Sequence, residues 1–232
     1  MALADDLKEE IRETYRAEWS KRDGRKVPEV EDVQLGNDAV EIDATVLYAD
    51  MAGSTDMVDS YKWWFSAEVY KTYLLCASRI IKAEGGVITA FDGDRVMGVF
   101  FEGTKNTNAV RSALKIKYAV TNFINPLLKE RYPSDNHNVR HTVGIDTSKL
   151  RVARTGVWGS NDLVWVGRAA NYAAKLSSLD EAGYYTFITN TVYDSMNDDA
   201  KTSAGKSMWE ARSWTQMNGM TIYRSSWGWV VD

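Results

Sequence analysis

The stretch Ala44-Thr45-Val46-Leu47-Tyr48-Ala49-Asp50-Met51-Ala52-Gly53-Ser54-Thr55 is an apolar run that stops on a carboxylate and passes into a turn of small, hydroxyl-bearing residues. Its β-branched and aromatic content reads as a strand over 44–49. Further along, Phe91-Asp92-Gly93-Asp94 leads into a second apolar run, Arg95-Val96-Met97-Gly98-Val99-Phe100. Asp92-Gly93 is a tight-turn signal, so 87–91 and 95–101 read as a hairpin. Asp50 and Asp94 therefore sit at the tips of neighbouring strands. Either aspartate alone reads as a helix cap or a turn former. Together, beside Gly53, Ser54 and Thr55, they read as a site where two carboxylates share divalent cations and free backbone N–H groups hold a phosphate chain. An all-oxygen donor set suits two Mg²⁺ or Mn²⁺ ions, with the Met51 carbonyl as a further ligand. One ion would help deprotonate an attacking hydroxyl and the other would steady the leaving phosphates. Side chains alternate along a strand, so Tyr48 faces the same way as Asp50.

Outward from this core, 61–84 reads as a long helix with Tyr70, Tyr73, Leu74, Ala77, Ile80 and Ile81 on one face, stopped by Gly85-Gly86. A second helix is expected over 106–129, strands near 138–146 and 150–157, a loop over 156–162 and a third helix over 167–179. A short strand over 184–189 and a short helix over 190–196 follow. A final hairpin is expected around Asn218-Gly219. Residues 3–20 carry Leu7, Ile11, Tyr15 and Trp19 at four-residue spacing. Residues 1–36 thus read as a helical extension that docks on the main domain or on a partner chain, and 37–232 as the catalytic domain. The element order gives an α+β fold, a mostly antiparallel, ferredoxin-like sheet with helices on one face.

The chain of 232 residues is 44% hydrophobic with net charge −4, so a packed core is expected and wholesale disorder is not. No polybasic block is present, which leaves no electrostatic footprint for nucleic acid. The first ten residues are charged, so neither a signal peptide nor a stable membrane association is expected. With a single cysteine, Cys76, no internal disulfide can form, and a cytoplasmic protein is expected. His137 and His141 have no partners at zinc-ligand spacing.

Three segments in order resemble the class III nucleotidyl (adenylate and guanylate) cyclases. Leu47-Tyr48-Ala49-Asp50-Met51-Ala52-Gly53-Ser54-Thr55 resembles the family's first metal motif, and Gly93-Asp94-Arg95-Val96-Met97-Gly98-Val99-Phe100 resembles its Gly-Asp motif. Gly167-Arg168-Ala169-Ala170-Asn171-Tyr172-Ala173-Ala174-Lys175-Leu176 resembles its Gly-x-x-x-Asn-x-Ala-x-Arg-Leu motif. The resemblance implies attack of a ribose 3′-hydroxyl on the α-phosphorus of a nucleoside triphosphate, giving a 3′,5′-cyclic nucleotide and pyrophosphate. It implies a homodimer with composite active sites, the aspartates from one subunit and the third motif from the other. By that implication Asp50 and Asp94 hold the metals, Asn171 positions ribose and Lys175 meets phosphate charge.

The departures are informative. Where purine cyclases carry a base-reading Lys, this chain has Ala90, and where they carry a base-reading Asp, Cys or Thr, it has Val164. Lys175 stands in place of the family's Arg, keeping the charge and losing the fork. The family's extra phosphate Lys maps on Asn218, with Arg212 as a candidate substitute. Tyr48 reads either as a base-stacking or ribose contact or as ordinary strand packing. Arg95 reads either as a contact to phosphate or a pyrimidine carbonyl, or as an ion pair with Asp92 or Glu102. This combination resembles the stand-alone pyrimidine (uridylate and cytidylate) cyclases of bacterial antiphage systems, whose cyclic UMP or cyclic CMP activates a downstream effector. UTP, less so CTP, is the substrate expected. A purine cyclase with a remodelled pocket and a catalytically degenerate nucleotide-binding module remain as alternatives.

Overall fold

A computed structural model describes residues 2–231. The long strand β2 (Asp38–Ala52) is its centre. The short β1 (Ser20–Asp23) lies beside it in parallel, at Asp38 to Glu41. The hairpin of β3 (Val87–Asp92) and β4 (Arg95–Phe101) takes the rest of that edge, with β4 antiparallel from Ala44 to Asp50. On the other edge lies β5 (Arg140–Val157), antiparallel to β2 from Ala39 through Ala52. β5 in turn pairs with β6 (Ser160–Val166), antiparallel, and with β7 (Thr186–Thr189), parallel. β10 (Glu210–Trp214) and β11 (Met220–Ser225) extend the sheet beyond β7, and β8 (Thr202–Ser203) with β9 (Lys206–Ser207) forms a separate small hairpin. The described residues thus form a mixed, predominantly antiparallel sheet.

The expected α+β architecture is present, with three differences. Helices cover both faces, not one. α3 (Trp63–Ala83) and α4 (Lys105–Ala119) bury Tyr73, Ala77, Ile81, Leu114 and Ile116 against Leu47, Ala49 and Met51 of β2. α6 (Arg168–Ser177) lies on the opposite face, with Ala169, Ala170 and Ala173 against Ala44 and Val46. Full burial of one such large aliphatic chain contributes about 1.5–3 kcal/mol. Second, the two strands expected within 138–157 are one continuous strand, and the segment read as a loop after it folds into β6. Third, the described part of the N-terminal extension is helical only over Leu3–Arg16 (α1), which carries no buried residue, and in a short 3-10 turn at Val30–Asp32. Residues 20–23 join the main sheet because the edge of β2 before Ala44 is left open by β4.

Local chemistry explains the remaining elements. α2 (Ser54–Ser60) starts one residue after Gly53, whose φ of 74° suits a residue without a side chain. The helix expected over 106–129 is α4, a wider π-type turn over Val120–Ile124, and α5 (Asn125–Arg131). Pro126 has no N–H to donate, which favours the break in the i→i−4 ladder there. α7 (Asn190–Ser195) follows β7. The last hairpin turns through Asn218 and Gly219, both at positive φ. The apolar C-terminal segment docks on its own chain: the Trp229 N–H donates to the Leu114 carbonyl of α4 at 3.0 Å. No described helix is long and apolar enough to cross a membrane.

α6 approaches the sheet through a glycine. A Cβ on Gly144 would lie 2.1 Å from the Ala173 carbonyl oxygen and 2.4 Å from the Ser177 nitrogen. Gly144→Ala is expected to lift α6 and to cost about 3 kcal/mol or more, read as a lower urea midpoint.

Candidate active site

Register builds the site. Residues directly opposite in paired strands share a face. Arg95 of β4 and Thr142 of β5 lie on either side of Asp50, Met97 and Gly144 on either side of Tyr48, and Arg140 beside Ala52. All point to the face that α6 covers. Ala90 is one strand further out, beside Met97. The surface around Tyr48 therefore has Ala90 and Met97 as apolar neighbours, with Tyr48 and Ala90 partly buried against that side of the core.

Asp50 is half-buried, its carboxylate 3.2 Å from the Arg95 guanidinium. Among the described residues neither Asp92 nor Glu102 is the ion partner of Arg95; Arg95 lies between Asp92 on β3 and Asp50 on β2, and its guanidinium turns to Asp50. Burial holds the Asp50 carboxyl above the usual carboxylate range; Arg95 opposes this and Asp94 adds to it. The same guanidinium lies 5.9 Å from the Tyr48 ring centroid. Burial raises the Tyr48 hydroxyl, and Arg95 opposes that shift. Asp94 occupies the turn between β3 and β4, and its Oδ2 is enclosed with no hydrogen-bond partner among the described residues. An orphaned buried acceptor beside a second carboxylate is a donor set with open valence.

No group of three or more His, Cys, Asp or Glu side chains that could hold a metal ion occurs among the described residues. Asp92 also ends a strand here and its charge acts on Asp50, but the carboxylates of the tips do not form a three-ligand cluster, which leaves Asp50 and Asp94 as the pair. A hard divalent cation that completes its shell with a backbone carbonyl, water and phosphate oxygens fits such a pair, and a cation needing an all-protein cage does not. Met51, read as the carbonyl donor, is buried opposite His141. Gly53, Ser54 and Thr55 form the junction from β2 into α2 beside these carboxylates.

α6 presents Asn171 and Lys175 differently. Ala169, Ala170, Ala173, Leu176 and Ser177 face inward, which leaves Asn171 and Lys175 exposed on the outer side. Lys175 reaches the Met217 sulfur at 3.6 Å, and neither residue bonds Asp50 or Asp94 among the described residues. The helix is pinned by Arg168, which donates to both oxygens of the buried Asp146 at 3.0 and 3.1 Å and to the Thr147 carbonyl at 2.9 Å. Arg212, the candidate substitute cation, is taken up by Glu181 at 2.6 Å, and Asn218 sits in the last hairpin turn.

No family model matches the chain. A uridylate cyclase of Xanthomonas perforans is 54% identical over 100% of both chains, and one of Burkholderia cepacia is 53% identical over the same extent. The chain belongs to the uridylate cyclase family. It is a nucleotidyl cyclase on that membership. The crystal structure of the guanylyl cyclase Cya2 aligns with a TM-score of 0.68 over 82% of this chain and 94% of that one, at 18% identity, a likeness of fold.

Three further residues of this cyclase stand at the strand tips. Arg140 shares the Asp50 face, at even spacing along β5 from Gly144 and Thr142. Tyr73 and His141 lie beneath the strand tips on the opposite face of the sheet, their rings 6.0 Å apart. The Tyr73 hydroxyl and both His141 nitrogens are buried with no hydrogen-bond partner among the described residues. Burial, with the Asp50 and Asp94 charges adding, pushes the Tyr73 hydroxyl well up. Burial, helped by Lys117, pulls His141 from 6.5 down to about 3. A histidine so depressed is neutral in the folded cyclase and protonates on unfolding. Its contribution to stability is whole above about pH 6.5 and is lost as pH falls toward about 3. Unfolding free energy should therefore fall with a slope approaching ~1.4 kcal/mol per pH unit from this group between about pH 6 and about pH 4. His141→Phe should flatten that part of the urea-midpoint profile relative to the parent.

Proposed function

We propose that the protein converts UTP to 3′,5′-cyclic UMP and pyrophosphate. The observation that carries this reading is the pocket face itself. Ala90, on the face around Tyr48, offers no side-chain hydrogen-bonding group for a purine, and neither does Val164, which stands exposed on β6 opposite Ala153 and would reach a shared site from the other subunit, while Tyr48 and Arg95 stand together beside Asp50. A pocket without purine-reading groups selects poorly for purines, because polar edges of the base would be left unpaired. The names of the relatives support uracil as the base.

On this reading Asp50 and Asp94 hold divalent cations, Mn²⁺ or Mg²⁺, with the Met51 carbonyl. When bound, such cations supply Lewis acidity to the phosphate oxygens and lower the barrier to losing the hydroxyl proton. Gly53, Ser54 and Thr55 line the phosphate chain. Tyr48 stacks beneath the base and Arg95 meets its carbonyl edge. The ribose 3′-oxygen bonds to the α-phosphorus as the bond from that phosphorus to the β-phosphate oxygen breaks; the hydroxyl proton passes to solvent and pyrophosphate leaves. Asn171 orients the ribose and Lys175 stabilises charge on the α-phosphate oxygens. Both face outward from their own sheet, which supports a homodimer in which each subunit completes the other's site.

Incubation with each of the four nucleoside triphosphates and Mn²⁺ should yield cyclic UMP as the main product; cyclic AMP or cyclic GMP in that place would defeat the proposal. Asp50→Ala and Asp94→Ala should each lower turnover roughly a thousandfold. Mixing inactive Asp50→Ala with inactive Lys175→Ala should restore about a quarter of wild-type activity through mixed dimers with one intact site. No restoration in exchanging subunits would rule out the shared site.

A further inference from the structure

We propose that Arg140 binds the terminal phosphates of the nucleotide. The inference rests on the proposed nucleotide site and adds a residue to it. β5 is held against β2 from Ala39 through Ala52, and this long register fixes Arg140 beside Ala52, the residue before Gly53. Arg140 shares the face of Asp50, one rung nearer the strand tip than Thr142. Its side chain runs along the turn: a Cβ built on Gly53 would lie 3.9 Å from the Arg140 Nη2. The guanidinium is thus in contact range of the backbone proposed to cradle phosphate.

The arginines of this face differ in what restrains them. Arg95 is held by the half-buried Asp50, and Arg168 by the fully buried Asp146. Among the described residues Arg140 has its ion pair with Asp180, at 3.4 Å, with the two side chains 57% and 65% exposed. An exposed pair of that kind is weak and readily exchanged. A phosphate oxygen at the turn would offer the guanidinium a stronger, bidentate partner. Asp50 and Asp94 add negative charge near the triphosphate, so a guanidinium with little else to hold it is the group such a ligand needs.

The test uses the full chain and a UTP analogue without the 3′-hydroxyl, which cannot cyclise. Affinities for that analogue, for UMP and for Mn²⁺, together with Tm, are compared for wild type, Arg140→Ala, Arg140→Lys and Asp180→Asn. Arg140→Ala should weaken the analogue about tenfold or more, with Arg140→Lys between it and wild type. UMP and Mn²⁺ affinities should stay within about twofold and Tm should hold, since the residue lies outside the core. Asp180→Asn should bind the analogue as tightly as wild type or more tightly. Analogue affinity unchanged in Arg140→Ala overturns the inference. So does equal weakening by Asp180→Asn, which would make the pair, not the guanidinium, responsible. If wild type binds neither Mn²⁺ nor the analogue, the nucleotide site itself fails and this inference with it. If wild type binds both, Asp50→Ala loses Mn²⁺ and Arg140→Ala matches wild type, only the role of Arg140 fails.

Discussion

β2 is paired along both edges through the residues that matter, and the geometry of the site follows from that pairing. Its register with β4 and β5 puts Arg95 and Thr142 on the two sides of Asp50. A slip of one residue in either ladder would turn Asp50, Tyr48 and Arg140 toward the wrong face. Such a slip would also expose Leu47, Ala49 and Met51, which are buried against α3 and α4. The apolar period of the strand thus protects the placement of the carboxylate, so packing and chemistry are fixed by one alternation.

The charged groups near the strand tips are arranged with unequal restraint. Asp50 is answered by Arg95, whereas Asp94 keeps one oxygen enclosed and without a partner. Leaving a buried acceptor unpaired costs stability unless something else satisfies it. Across the same face, α6 is locked through Arg168 and Asp146, with the Thr189 hydroxyl donating to Asp146 at 2.5 Å. Removing Arg168 is expected to cost far more than the pair's net worth, because the fully buried Asp146 charge stays behind. That lock sets the direction in which Asn171 and Lys175 leave the helix.

Much of the fold was legible because it depends on short-range signals. Asp92-Gly93 and Asn218-Gly219 announced their hairpins, and the helical period of 61–84 located α3 to within two residues. The sequence also placed Asp50, Tyr48 and Arg95 together, since parity along a strand and one tight turn suffice for that. What stayed hidden depends on partners distant in the chain. β5 read as two strands because its polar middle, Asp146 to Lys149, interrupts the apolar pattern; the structure satisfies that stretch with Arg168, Thr45 and Glu41. The side of the sheet taken by α6 follows from the missing side chain at Gly144, which no local pattern discloses. The partner of Arg95 is hidden in the sequence because Asp50 on β2 and Asp92 on β3 flank it on either side, and only the fold shows that its guanidinium meets Asp50. Arg140 went unnoticed for a related reason, since its meaning comes only from what lies on the adjacent strand.

The closest approach at Gly144 is to backbone: the Ala173 carbonyl oxygen and the Ser177 nitrogen lie nearer a built Cβ than the Cβ of Leu176 does. Core residues elsewhere can drift in volume among relatives and be absorbed by small helix displacements. Here the spacing between helix axis and sheet is set by main-chain atoms, which cannot change size. The depth of the cleft on that face is therefore insulated from ordinary sequence divergence. Altered substrate choice in this fold should arise from changes along the cleft walls, while its floor-to-roof height stays constant.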